Sequence, residues 1–155
     1  MSDAEAMRDL LERDAITRLM VRYADRIDAN DPAGAAACFA PDGLGVYWGD
    51  YVGREVIAER LTGILAGFHA TSHQLTNVQI ELTGETTARA QSYVYAFHRI
   101  KGSMEHTHYW GRWVDELTKV EGEWLFARRE VVGIGSFTPG VEASPDDHPG
   151  HPGRL

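Results

Sequence analysis

Apolar residues recur at helical spacing along the first part of the chain. Leu10, Leu11, Ile16, Leu19, Met20, Tyr23, Ala24 and Ile27 lie in a stretch without Gly or Pro that ends at Asn30-Asp31-Pro32. This period predicts one long amphipathic helix over about 3–30. Residues 32–39 suit a short second helix ahead of Pro41-Asp42-Gly43, residues 45–52 a short hairpin carrying Tyr47, Trp48 and Tyr51, and residues 54–68, after Gly53, a third helix. The period then changes. Residues 72–82, 87–100, 106–120 and 124–135 are rich in β-branched and aromatic side chains and are separated by Gly84-Glu85, Lys101-Gly102-Ser103 and Glu121-Gly122. They predict four long antiparallel strands joined by hairpins. Helices followed by a run of strands indicate an α+β fold, with a curved sheet folded over the first helix.

At 155 residues the chain has the length of a single domain, expected over 1–135. Residues 136–155 hold four of the six prolines, Pro139, Pro145, Pro149 and Pro152, and are expected to form a tail that covers the domain or lacks order. His148 and His151 lie in that tail without a third ligand, so no metal site is expected there. A net charge of −8, with no basic cluster longer than Arg128-Arg129, lacks the electrostatic footprint of nucleic-acid binding. No apolar run approaches the roughly 18–20 residues that span a bilayer. The charged N-terminus does not read as a secretory signal, which implies a cytoplasmic protein. The lone cysteine, Cys38, allows no internal disulfide or multi-cysteine metal site and reads as a small core residue. The partner these features leave is a small molecule.

Strand alternation puts Leu125, Ala127, Arg129 and Val131 on one face of the last strand. An arginine on an apolar row must meet a carboxylate or an anionic ligand, or else reach water at the sheet edge. Arg128, beside Glu130, reads as a solvated ion pair. His73, with Leu75 and Asn77, falls on the row opposite Val78, Ile80 and Leu82, and its side chain suits proton transfer near neutrality. His98, His106 and His108 compete with it; His106 and His108 share a row with Trp110 and Arg112, which could supply a second pocket histidine. Asp25 lies roughly opposite the Ile16, Met20, Tyr23, Ile27 stripe, so periodicity alone assigns it to solvent. The chain carries no Gly-rich phosphate loop, no His-Glu-x-x-His element and no Gly-x-Ser-x-Gly elbow, which favours chemistry by side chains alone, with neither metal nor cofactor.

Tyr23-Ala24-Asp25, the run His69-Ala70-Thr71-Ser72-His73 leading into Thr76-Asn77, and Gly122-Glu123-Trp124-Leu125-Phe126-Ala127-Arg128-Arg129 appear in an order that resembles the SnoaL-like branch of the nuclear transport factor 2 superfamily. The likeness covers nearly the whole chain and is greatest to the hexachlorocyclohexane dehydrochlorinases, with scytalone dehydratase and bile-acid 7α-dehydratase further off. It implies a cone-like α+β barrel, the cystatin-like fold, in which a long N-terminal helix and two shorter ones pack in a strongly curved, mainly antiparallel sheet. It also implies a homo-oligomer, trimer or dimer. By the dehydrochlorinase pattern, His73 would remove a proton with Asp25 orienting it, and Arg129 would assist the leaving anion. Val21, Phe68 and Val94 would match pocket positions. Two departures stand out: Met20 replaces a lysine of that pattern and Thr71 a cysteine.

Together these readings suggest a cofactor-independent lyase acting on a small, apolar, cyclic substrate, with Tyr23 also at the substrate. Losing the lysine favours elimination of water over halide. An isomerase of the ketosteroid type, with a carboxylate base and Tyr23 or Tyr93 polarising a carbonyl, is the alternative. A non-catalytic binding domain is what a solvent-facing Asp25 would favour.

Overall fold

The computed structural model describes residues 2–140. Three helices, α1 (Asp3–Asp28), α2 (Pro32–Ala36) and α3 (Arg54–Leu65), accompany six strands, β1 (Phe39–Val46), β2 (Asp50–Val52), β3 (Phe68–Leu82), β4 (Thr87–Ile100), β5 (His106–Val120) and β6 (Glu123–Phe137). This is the expected α+β architecture, a long N-terminal helix with a curved six-stranded sheet. Residues 141–155, with His148 and His151, lie outside the described residues.

A capping box starts α1: Ser2 Oγ accepts from the Glu5 backbone N–H at 3.3 Å, and the Glu5 carboxylate accepts from the Ser2 N–H at 2.6 Å. The buried stripe is Ile16, Leu19, Met20, Tyr23, Ala24 and Ile27. Leu10 and Leu11, expected to share it, face solvent. The N-terminal turns are held by polar contacts instead: Glu12 accepts from Lys119 Nζ at 2.7 Å and from Trp124 Nε1 at 2.6 Å, and Arg13 donates to the Ile80 carbonyl. Asn30 turns the chain with φ 54°, and Asp31 caps α2 by accepting from the Gly34 N–H at 2.8 Å. The third helix stops at Leu65, three residues short of its expected end, because Gly67 and Phe68 are taken by the sheet; the Gly67 carbonyl accepts from Lys101 and Phe68 pairs with Ile100.

The strand order is β2-β1-β6-β5-β4-β3, with β1–β6 parallel and every other neighbouring pair antiparallel. The four long strands and their hairpins follow the sequence pattern. The strand β1 begins earlier than expected, at Phe39, and takes in Pro41, which sits in the irregular register between Phe39 and Leu44 where its missing N–H breaks no ladder bond.

Bulges decide which side chains face inward. Thr76 pairs with Tyr93 but Gln79 with Gln91, so β3 carries an extra residue there, with Asn77 at φ 50°. One inserted residue exchanges the faces of a strand. His73 and Leu75 therefore share the concave face with Ile80 and Leu82, where strict alternation set them opposite. The same device acts in β6: Leu117 pairs with Phe126 and Glu116 with Arg128. The inner row is thus Trp124, Phe126, Arg129 and Val131, not Leu125, Ala127, Arg129 and Val131. Against it Tyr23 packs edge-on, its ring centroid 5.3 Å from Trp113, 5.9 Å from Phe126 and 6.1 Å from Phe39.

Candidate active site

Between α1, α3 and the concave face lies a cavity of about 270 Å³. The helix α1 contributes Tyr23 and Ile27, the segment after β1 Tyr47 and Trp48, and α3 Leu61, Ile64 and Leu65. The sheet contributes Phe68, His73, Val94, His98, Thr107, Tyr109, Trp113 and Val131. Among the described residues the lining is mostly aromatic and aliphatic and contains no Asp, Glu, Lys or Arg.

His73 meets the last residue of α1. Its Nδ1 lies 2.7 Å from Asp28 Oδ1, its backbone N–H donates to Asp28 Oδ2 at 2.8 Å, and Thr71 Oγ1 donates to Oδ1 at 2.8 Å. An ionised carboxylate only accepts, so the contact puts a proton on Nδ1, and in the neutral imidazole the lone pair is then on Nε2. Burial pushes the Asp28 carboxyl up, but the two hydrogen bonds and the charge of His73, with Thr71, outweigh it and hold the group below the usual carboxylate range. Three donors also offset the unfavourable placement of an anion at a helix C-terminus. Thr71, one of the two departures from the dehydrochlorinase pattern, is thus part of the carboxylate's support.

The His73 ring stacks on Trp113 at 5.9 Å and meets His98 edge-on at 5.3 Å; His98 stacks on Phe68 at 4.6 Å. Burial, and then the neighbouring His73, bring His98 down to about 4, so it is neutral at ordinary pH. Opposite them, the hydroxyls of Tyr23 and Tyr47 bond each other at 2.8 Å. Burial raises both phenols, Tyr23 to about 12, and keeps them protonated.

His98 carries a consequence for stability. An unfolded histidine protonates near ~6.5, whereas this one does so at about 4 in the fold. The unfolded chain binds more protons between those values, so stability from His98 is complete above ~6.5 and is lost as pH falls towards 4. We expect thermal melts of the wild-type protein to weaken over that window more steeply than those of His98→Leu; equal slopes would mean that His98 charges freely in the fold.

The structure brings together only some of the residues singled out in the sequence. Tyr23, Phe68, His73 and Val94 line the cavity. Asp25 and Val21 lie on the outer face of α1, with Arg18 and Arg22, and Val21 is 46% exposed. The helical wheel had put Asp25 there; the carboxylate that reaches His73 sits three residues further on. Arg129 is wholly buried but outside the lining, bound to both oxygens of Asp115 at 2.8 and 2.7 Å and lying 4.4, 4.3 and 3.8 Å over the rings of Tyr23, Trp113 and Phe126. Burial opposes its charge, but Asp115 outweighs burial and keeps the guanidinium ionised. Tyr93 pairs with Arg112 on the other face of the sheet, and the His106, His108, Trp110 row lies there too, packed with Tyr95 and Phe97. The second cavity histidine is His98, which continues the inward row of Ala88, Ala90, Ser92, Val94 and Ala96. Among the described residues no group of three or more His, Cys, Asp and Glu could hold a metal ion, and no helix is long and apolar enough to cross a membrane.

The model of the SnoaL-like domain matches residues 8–130. A proposed scytalone dehydratase from Novosphingobium aromaticivorans is 33% identical over 88% of this chain and 93% of its own, with a TM-score of 0.79. A type-3 hexachlorocyclohexane dehydrochlorinase from Novosphingobium barchaimii superposes equally well, with a TM-score of 0.79 over 90% of this chain and 99% of its own, at 17% identity. A protein of unknown function with a cystatin-like fold from Nostoc punctiforme reaches 0.68 at 24% identity, over 78% of this chain and 90% of its own. The last two likenesses are of fold alone. The search of curated proteins gave no match.

Proposed function

Because the chain belongs to the SnoaL-like domain family, and its cavity holds an imidazole in contact with a partly buried carboxylate, we propose that it is a lyase eliminating water from a small, neutral, cyclic substrate. The observation that supports this reading is the Asp28–His73 contact at 2.7 Å, which suits a neutral imidazole with its proton on Nδ1 and Nε2 free to act as the base. His73 Nε2 takes a proton from the carbon next to a carbonyl, the released electron pair forms a C=C bond, and the C–O bond to a β-hydroxyl breaks. The imidazolium returns the proton to the departing hydroxide, so the products are a conjugated enone and water. Charge building on the carbonyl oxygen would be met by the Tyr23–Tyr47 pair, in which one hydroxyl bonds the other and the outer one is left to donate. This pair takes the part that the resemblance gives to Arg129, which stands outside the cavity lining with Nε and Nη2 turned to Asp115.

The isomerase alternative needs a carboxylate base that reaches the substrate, whereas Asp28 is turned to His73 and Thr71 by three hydrogen bonds and, like Tyr93, is outside the cavity lining. The binding-domain alternative is favoured by a solvent-facing Asp25, which the fold has; the Asp28–His73 contact weighs against it by giving the imidazole another carboxylate. The expected homo-oligomer draws support from the outer face of β4–β6, where Trp110 and Phe137 are about half exposed beside Tyr95 and His108.

The direct test offers the protein a panel of cyclic β-hydroxyketones and follows enone absorbance together with loss of water by mass. We expect turnover of at least one one- or two-ring member without added cofactor. Binding of such compounds with no water lost from any would defeat the lyase reading.

A further inference from the structure

Tyr109 is a cavity-lining hydroxyl that the proposed reaction does not use. Its Oη is buried and, among the described residues, has no hydrogen-bond partner. Each other hydroxyl of the lining already bonds a neighbour, Tyr23 with Tyr47 and Thr107 with Thr138 at 3.0 Å, although the Tyr23–Tyr47 pair keeps one O–H to donate. The ring lies down on the sheet. A Cβ built on Gly111 would come within 2.7 Å of Tyr109 Cε1 and Oη, and one built on Gly133 within 3.4 Å of Oη. Gly111 and Gly133 are register partners across β5 and β6, beside a bulge.

Each of these choices is locally unfavourable. Glycine weakens a strand interior and marks a close approach, and a buried hydroxyl without a partner is destabilising. Phenylalanine at 109 would remove that last cost while keeping the packing. Departures from local stability that converge on one oxygen are what a ligand contact requires.

We infer that Tyr109 is a hydrogen-bonding subsite of the cavity that takes an acceptor oxygen, a carbonyl or ether, on a neutral cyclic ligand. Burial holds the phenol up at about 12, so it is an O–H donor across ordinary pH. A lining without acidic or basic side chains other than histidine offers an ionised ligand no counter-charge, hence the neutral class. The hydroxyl lies over Gly111, next on the inner row to Trp113, whose indole stacks with His73. A flat ring on Trp113 is thereby held with one edge at Tyr109 and another at His73. Tyr109 orients the ligand and takes no part in bond making. The inference rests on the proposed function only in that the same cavity holds the substrate.

The test compares 1-indanone with indane, which share a ring frame and differ by one carbonyl, using the fluorescence of Trp48 and Trp113 in the cavity wall. Wild type should bind the ketone about five- to tenfold more tightly, the worth of one neutral hydrogen bond. Tyr109→Phe should lose most of that preference with its melting temperature equal or raised, and Asp25→Asn, on the outer face of α1, should keep it. In the wild-type complex the infrared carbonyl stretch of the ketone should fall below its value in hexane, and Tyr109→Phe should reduce the fall. A preference or a lowered stretch that is undiminished in Tyr109→Phe, or that wild type lacks, overturns the subsite. Because the readout is binding, loss of the lyase reading would leave this result standing, and the reverse.

Discussion

Asp28→Asn is expected to give a folded protein whose kcat/KM for dehydration falls by about 10²–10⁴, the range found when a catalytic imidazole loses its orienting carboxylate. The reason lies in the three donors around the carboxylate, the His73 ring, the His73 backbone and Thr71. An amide has one accepting oxygen and a donating NH₂, so it cannot serve all three. If the NH₂ faces the ring, it donates to Nδ1, drives the proton to Nε2 and removes the base. If the oxygen faces the ring, the NH₂ confronts the His73 backbone N–H, and the helix end must shift. His73→Ala should lose as much, because the two residues act as one unit. Asp25→Asn, on the outer face of α1, should leave turnover within twofold or so of wild type, as surface changes away from a site do. The measurement is steady-state kinetics on a β-hydroxyketone that wild type dehydrates. Full activity in Asp28→Asn, or a collapse in Asp25→Asn, would remove Asp28 from the mechanism.

That contrast also marks how much of the site could be read from sequence. The period of α1 identified its buried face correctly from Ile16 onward, and the i, i+4 row Ile16, Met20, Ala24 continues directly to Asp28. A polar residue that falls on the buried row at the end of a helix is a readable signal. The motif likeness points to Asp25 instead, against the wheel. His98 was readable in the same way, as the next member of the inward row of β4. The inner row of β6 and the facing of His73 were not readable, because each depends on a bulge. Nothing local marks the extra residue in β6, and in β3 it shows only as Asn77 at positive φ. Turn residues, by contrast, act locally. Glu121 and Gly122 both take positive φ, as a two-residue hairpin turn requires, and the strands they join came out at their expected positions. The parallel β1–β6 pairing joins segments far apart in the chain and leaves no periodic trace.

Arg129 is where the sequence pattern comes nearest to an observed contact. An arginine on an inward apolar row had to meet a carboxylate or an anion; it meets Asp115, one residue that alternation never brought forward. Both side chains are 0% exposed. Removing one partner strands the other as an uncompensated charge, which costs about 3–5 kcal/mol, a large share of the roughly 5–15 kcal/mol that holds a domain together. We therefore expect Arg129→Met to lower the urea midpoint sharply, since Asp115 is left either ionised in an aromatic core or protonated at the expense of folding. Asp115→Leu should do the same to the guanidinium. The double variant, Arg129→Met with Asp115→Leu, should recover most of the loss, because a packed apolar pair of similar volume replaces the ions. Since Arg129 stands behind Tyr23 and Trp113 rather than in the lining, the double variant should also retain turnover. Urea melts of the four proteins, with rates on the same substrate, separate the two roles. A stable but inactive double variant would return Arg129 to the chemistry, and an Arg129→Met variant that loses less than about 1 kcal/mol would show that the pair does not hold the core in the way its burial implies.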